Sequence, residues 1–174
     1  VEGLTKNEVD LIIENMIKKI NEATNDMQEK LCFRNLVMFI LNVNLPIKIN
    51  EFLLIKFSDL FDEDNNLKPY KFFLGRKHND ENIDIPMPEV VKNILLLYIE
   101  RYNITYQNNA NDSLFQSRKH QVITQMAWGR IIKESAQEVG INKNINTEST
   151  RKAYGLNVYE LSEDKLNALL FLGE

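Results

Sequence analysis

Apolar residues recur at helical spacing along most of the chain. Val9, Ile12, Ile13, Met16, Ile17 and Ile20 share one face behind Thr5 and Glu8, whose spacing forms a capping box, and this predicts a first helix. A polar break over 21–26 precedes a second helix over 27–42. Leu31, Phe33, Leu36, Val37, Phe39, Ile40 and Leu41 make that helix apolar on most of its surface, which predicts a central place in the core. After Asn44, Leu45 and Pro46, a short helix carries Ile49, Phe52, Leu53 and Ile55 and passes directly into an aromatic-containing strand over 57–61. Extended runs over 67–74 and 82–85, separated by polar turns, complete a small three-stranded antiparallel sheet.

Pro86 and Pro88 close the sheet and lead into a helix over 89–102 with Val90, Val91, Ile94, Leu95, Leu97 and Tyr98 apolar. The polar stretch 103–112 reads as a mobile loop. A helix over 123–139 follows, with Met126, Trp128, Ile131, Ile132 and Ala136 as packing residues and Gly140 as its stop. Helices over 149–160 and 162–172 end the chain. The fold class is therefore mainly α with a small antiparallel sheet, α+β, in one domain spanning 1–174.

Composition narrows the functional classes. No apolar run approaches the roughly eighteen residues of a membrane span, and no signal peptide is visible, so no membrane partner is expected. The single cysteine, Cys32, lies in the apolar second helix and reads as a buried reduced thiol, which fits a cytoplasmic protein. Asp62, Glu63 and Asp64 form a solvated turn without the spacing of a calcium loop. Glycine-rich phosphate loops, zinc-ligand spacings and nucleophile elbows are missing from the sequence, so neither a metal nor a cofactor is expected.

The net charge of −4 conceals an uneven distribution. Lys68, Lys71, Arg76 and Lys77 fall in a window without acids, as do Arg118, Lys119, Arg130 and Lys133, while Lys143, Arg151 and Lys152 face only Glu148. The rest of the chain is strongly acidic. Such segregation is compatible with one positive face for a polyanion.

The run from Pro46 to Asp59 resembles the first conserved box of the tyrosine recombinases, the phage-integrase family, with Glu51, Phe52, Ile55, Phe57 and Asp59 on matching positions. Leu114-Phe115-Gln116-Ser117 is similar to the family's Leu-Phe-x-Ser segment, and Glu148-Ser149-Thr150-Arg151-Lys152 to its second box. The resemblance implies a catalytic-domain fold that grips double-stranded DNA, as a homo-oligomer on DNA, within a C-shaped clamp closed by a separate N-terminal domain. It also implies a protein of phage or mobile-element origin. The abrupt ends at Val1 and Glu174 then read as those of a fragment, with the nucleophilic tyrosine further downstream.

In that chemistry a tyrosine hydroxyl attacks a phosphodiester, and two arginines clamp the non-bridging oxygens of the transition state. Arg151 falls on the second arginine and Lys77 on the lysine that protonates the leaving 5′ oxygen, with Arg76 as the alternative. Lys48 occupies the first arginine's place, keeping charge without the bidentate fork; losing such a donor typically costs roughly 10²–10³ in rate. Glu148 and Glu174 stand where the family has histidines, which exchanges donors for acceptors. Arg76, Lys77, Arg118, Lys119, Arg130, Arg151 and Lys152 are the expected DNA contacts. Three readings follow: an integrase with impaired catalysis, a non-catalytic regulator such as a prophage repressor, or a helical interaction module without nucleic acid.

Overall fold

The computed structural model describes residues 2–45, 47–73 and 82–153; within these, only the backbone is described for 71–73, 82–85 and 151–153. Helix α1, Lys6–Asn21, starts as expected. Thr5 Oγ1 accepts from the Glu8 amide at 3.2 Å and Glu8 Oε1 accepts from the Thr5 amide at 2.9 Å. Helix α2, Asp26–Asn44, is the core element, buried from Leu36 through Asn44 without interruption. Over that second half the helix has little polar surface to give to water, so neighbours cover it on several sides. α1 packs on one side, α5, Glu89–Arg101, on another, and α8, Thr147–Ala153, near its end, while α7, Gln125–Glu138, packs on α1 and α8.

Two buried amides organise this centre. Trp128 of α7 is 0 % exposed, and its Nε1 donates to Asn42 Oδ1 of α2 at 2.6 Å. Asn44 Nδ2 donates to the Ile40 carbonyl at 2.7 Å, satisfying one helix-end oxygen. The packing role expected for Trp128 holds. Met126 departs from it, since it is 77 % exposed on the outer face of α7. α7 ends as predicted at Gly140, which takes φ +81°. The Ile141 amide returns to the Ala136 carbonyl and the Gly140 amide to that of Gln137, so a Schellman motif closes the helix.

The expected strand over 57–61 is instead a short helix, α4, Phe57–Leu60, after α3, Ile49–Phe52. Phe57, Leu60 and Phe61 have i, i+3, i+4 spacing, and the Phe57 and Phe61 rings stack at 4.6 Å along one side of the turn. Asp59 accepts from the Lys56 amide at 2.8 Å. The free amides of the first turn find carbonyls in 110–112: Phe57 N donates to Asp112 O and Ser58 N to Ala110 O. The sheet is accordingly two-stranded among the described residues, with β1, Tyr70–Phe73, antiparallel to β2, Asn82–Ile85. Phe61 contributes only a bridge to Leu67.

That pairing also corrects the reading of 103–112 as a mobile loop. The stretch contains α6, Tyr106–Asn109, capped by Thr105. The Tyr106 amide donates to Asn65 Oδ1 at 2.7 Å and Gln107 Nε2 to the Glu63 carbonyl at 2.7 Å, binding it to the acidic turn. In that turn Asp62 Oδ1 accepts from the Asp64 and Asn66 amides, and Asn65 takes φ +63°. The helix expected over 162–172 and the later part of that over 149–160 lie outside the described residues. No described helix is long and apolar enough to cross a membrane.

Candidate nucleic-acid interface

Lys48 caps the N-terminus of α3 in an extended conformation, φ −65° and ψ 143°. Buried Ile49, Phe52 and Leu53 anchor the short helix on the core, Phe52 stacking on Phe115 at 4.9 Å, and Lys48 is left in solvent. Glu51, one turn on, accepts from the Tyr70 hydroxyl at 3.1 Å. Burial, then the Glu51 and Asp59 carboxylates, raise the Tyr70 phenol well above its ordinary value, and burial pushes Tyr98 up to about 12. Both rings are buried, and the Tyr70 hydroxyl is already engaged with Glu51, so neither phenol lies open on the surface.

Glu148 sits half-buried in the first turn of α8. Its amide donates to Asn146 Oδ1 at 2.8 Å, while the Asn146 amide donates to Ser149 Oγ at 3.1 Å. Gln125 Nε2 of α7 reaches Thr147 Oγ1 at 3.1 Å, and Ser149 and Thr150 are fully buried. The start of α8 is therefore fixed by a small polar network. Arg151 and Lys152 follow on the α8 backbone; their side chains, and all of Arg76, Lys77 and Glu174, lie outside the described residues.

The remaining candidates are exposed cations on two elements. Arg118 and Lys119 project from a turn closed by Ser117 N to Gln121 O at 2.7 Å and His120 N to Ser117 O at 2.9 Å, with His120 at φ +61°. Arg130 lies on the solvent face of α7. The structure brings Arg118 beside Lys30, Arg34 and His120 around one cavity of about 70 Å³. Sequence reasoning passes over Arg34 and Lys30. The available signal is a charged residue inside a mostly apolar helical stretch, since Arg34 and Asn35 lie between Phe33 and Leu36. Cys32 is half-buried, and desolvation raises its thiol, which keeps it protonated.

No family model matches the chain. It is 27 % identical over 163 residues to tyrosine recombinase XerD of Oceanobacillus iheyensis, covering 92 % of this chain and 50 % of that protein. Two solved structures share the fold. XerA recombinase superposes with a TM-score of 0.63 at 16 % identity, covering 88 % of this chain and 48 % of that one. XerH site-specific recombinase, bound to its difH substrate in a pre-cleavage complex, gives 0.57 at 19 % identity, covering 88 % and 41 %. The chain is thus similar in sequence to a tyrosine recombinase over most of its length and shares the fold of two solved recombinases, and it spans about half the length of the curated relative it matches.

Proposed function

We propose that this chain is the DNA-gripping part of a site-specific recombinase-type protein whose strand-cleaving chemistry is impaired, acting in the cytoplasm on double-stranded DNA as an oligomer. The observation that carries the reading is the ordered start of α8, where Asn146, Ser149 and Gln125 hold the turn that leads into Arg151 and Lys152. A helix start fixed by its own hydrogen bonds holds the backbone that leads to Arg151 in place before a phosphate arrives, so ordering that backbone is not part of the cost of binding. Exposed Arg118, Lys119 and Arg130 would add backbone contacts that set register rather than sequence.

The impairment follows from chemistry. Lys48 supplies charge to a phosphate without the fork of an arginine, and Glu148 presents an acceptor where a donor is needed. These two positions, with Glu174, favour a second reading, a non-catalytic regulator such as a prophage repressor. Duplex binding measured across a salt series tests the common part. Arg151→Ala should weaken binding uniformly across sequences and lower the salt slope by about 1. Unchanged affinity removes Arg151 from the site. Selection from random duplex then separates the two readings, because paired inverted arms around a short spacer mark a strand-exchange site, and a single motif marks a regulator.

A further inference from the structure

Arg34 is the anomaly of the core. It is 7 % exposed in the middle of α2, and its acceptors are neutral: Nε and Nη2 donate to Asn35 Oδ1 at 3.1 and 2.7 Å, and Nη1 to the Gln116 carbonyl at 2.7 Å. No carboxylate among the described residues pairs with it. A guanidinium stays charged throughout the accessible pH range, so this is a largely desolvated cation held by neutral acceptors, without a counter-charge. Three of its five N–H groups are used by those acceptors.

Arg34 is one of the residues lining the cavity of about 70 Å³ between α2 and the 117–121 turn. More positive charge surrounds the same space. Lys30 lies one helical turn before Arg34, 5.8 Å from the Tyr102 ring centroid, and exposed Arg118 comes from the turn opposite. The single acid on the wall, Asp112, is exposed and accepts from Asn109 Nδ2 at 3.0 Å. Three long or planar cations converging on a space of this size match a tetrahedral dianion. Arg34 would donate at its base and Lys30 and Arg118 at its mouth.

We propose that the Arg34 cavity is a phosphate-binding site, taking either a free phosphate group or one from a nucleic-acid backbone. The site goes beyond the DNA reading, because its counter-charge argument holds whether or not the chain binds duplex.

The experiment compares thermal unfolding in sodium phosphate and in sodium chloride at matched ionic strength, for the wild type and for Lys30→Ala with Arg118→Ala. Both substituted side chains reach solvent, so the variant should keep its transition temperature in chloride. Phosphate at about ten times its Kd should raise the wild-type transition by about 3–6 °C over chloride and leave the variant without that gain. The variant also controls for the general stabilisation that phosphate gives any folded chain, and an equal gain in both proteins overturns the proposal. Phosphorus NMR of inorganic phosphate reads the same site without unfolding. The signal should broaden with the wild type alone, and no broadening overturns the site. Duplex competition then names the source. Displacement of duplex from the wild type by phosphate beyond the chloride control makes the occupant a backbone phosphate. Phosphate binding with duplex affinity unchanged makes it a free phosphate or phosphomonoester.

Discussion

The Asn42–Trp128 bond shows how one polar pair can set the geometry of an apolar centre. Both partners are buried, so neither can turn to water if the other is lost. Trp128→Phe removes the donor and leaves a void beside it. It should lower unfolding free energy by about 2–4 kcal/mol in urea titrations, more than a solvent-facing aromatic would. Glu29 provides a pH-dependent counterpart. Arg101 Nε donates to its Oε1 at 2.7 Å, and this bond outweighs desolvation; with the Tyr102 hydroxyl, also at 2.7 Å, it holds the carboxyl below its ordinary 4.5. A folded value below the unfolded one gives stability that is complete above the unfolded value and lost as pH falls through the folded one. The stability difference between wild type and Glu29→Gln should therefore be full near neutrality and shrink on acidification below about 4.5, as read from urea midpoints over a pH series.

Among the elements, Gly140 carries the clearest single-residue demand. At φ +81° an added Cβ meets no neighbouring atom, so the strain is purely conformational. Gly140→Ala should cost about 1–2 kcal/mol and fray the last turn of α7, visible as faster amide exchange at Gly140 and Ile141. This stop was legible in sequence because glycine after a periodic apolar run has one common structural meaning. The apolar periods of α1, α2, α5 and α7 were legible for the same reason. α4 was not. Its aromatic residues suggest a strand by composition, while their spacing is helical, and the deciding amide partners lie some fifty residues away in 110–112. The order of α6 was hidden likewise, since a polar stretch becomes fixed only when Asn65 and Glu63 receive it. In the candidate site, the position of Lys48 at a helix start could be read from the chain. The setting of Arg34 could not, because its lack of a counter-charge depends on which residues the fold brings near it.

Across the whole molecule, the first residues hold the approach to α8. The Asn144 amide donates to Glu2 Oε2 at 3.0 Å and the Glu2 amide to the Asn144 carbonyl at 3.1 Å. Lys143 Nζ pairs with Glu8 Oε1 at 2.6 Å, the same oxygen that accepts from the Thr5 amide in the capping box. Further along, Asn15 Nδ2 donates to Ser135 Oγ at 3.0 Å, and Lys19 pairs with Glu138. α1 therefore supports the end of α7 and the loop that carries α8 into place.

The shared Glu8 carboxylate makes the α1 start and the 143–144 loop interdependent across a sequence separation of 135 residues. Closing so long a loop has an entropic cost that its few contacts must offset together, so losing one weakens the hold of the others. The α1 cap thus works as a latch. A partner or an adjoining segment that pulls the first turn of α1 away from Lys143 would loosen the base of the Arg151 helix without touching it. Amide exchange at 144–150 would quicken in step with that at the start of α1.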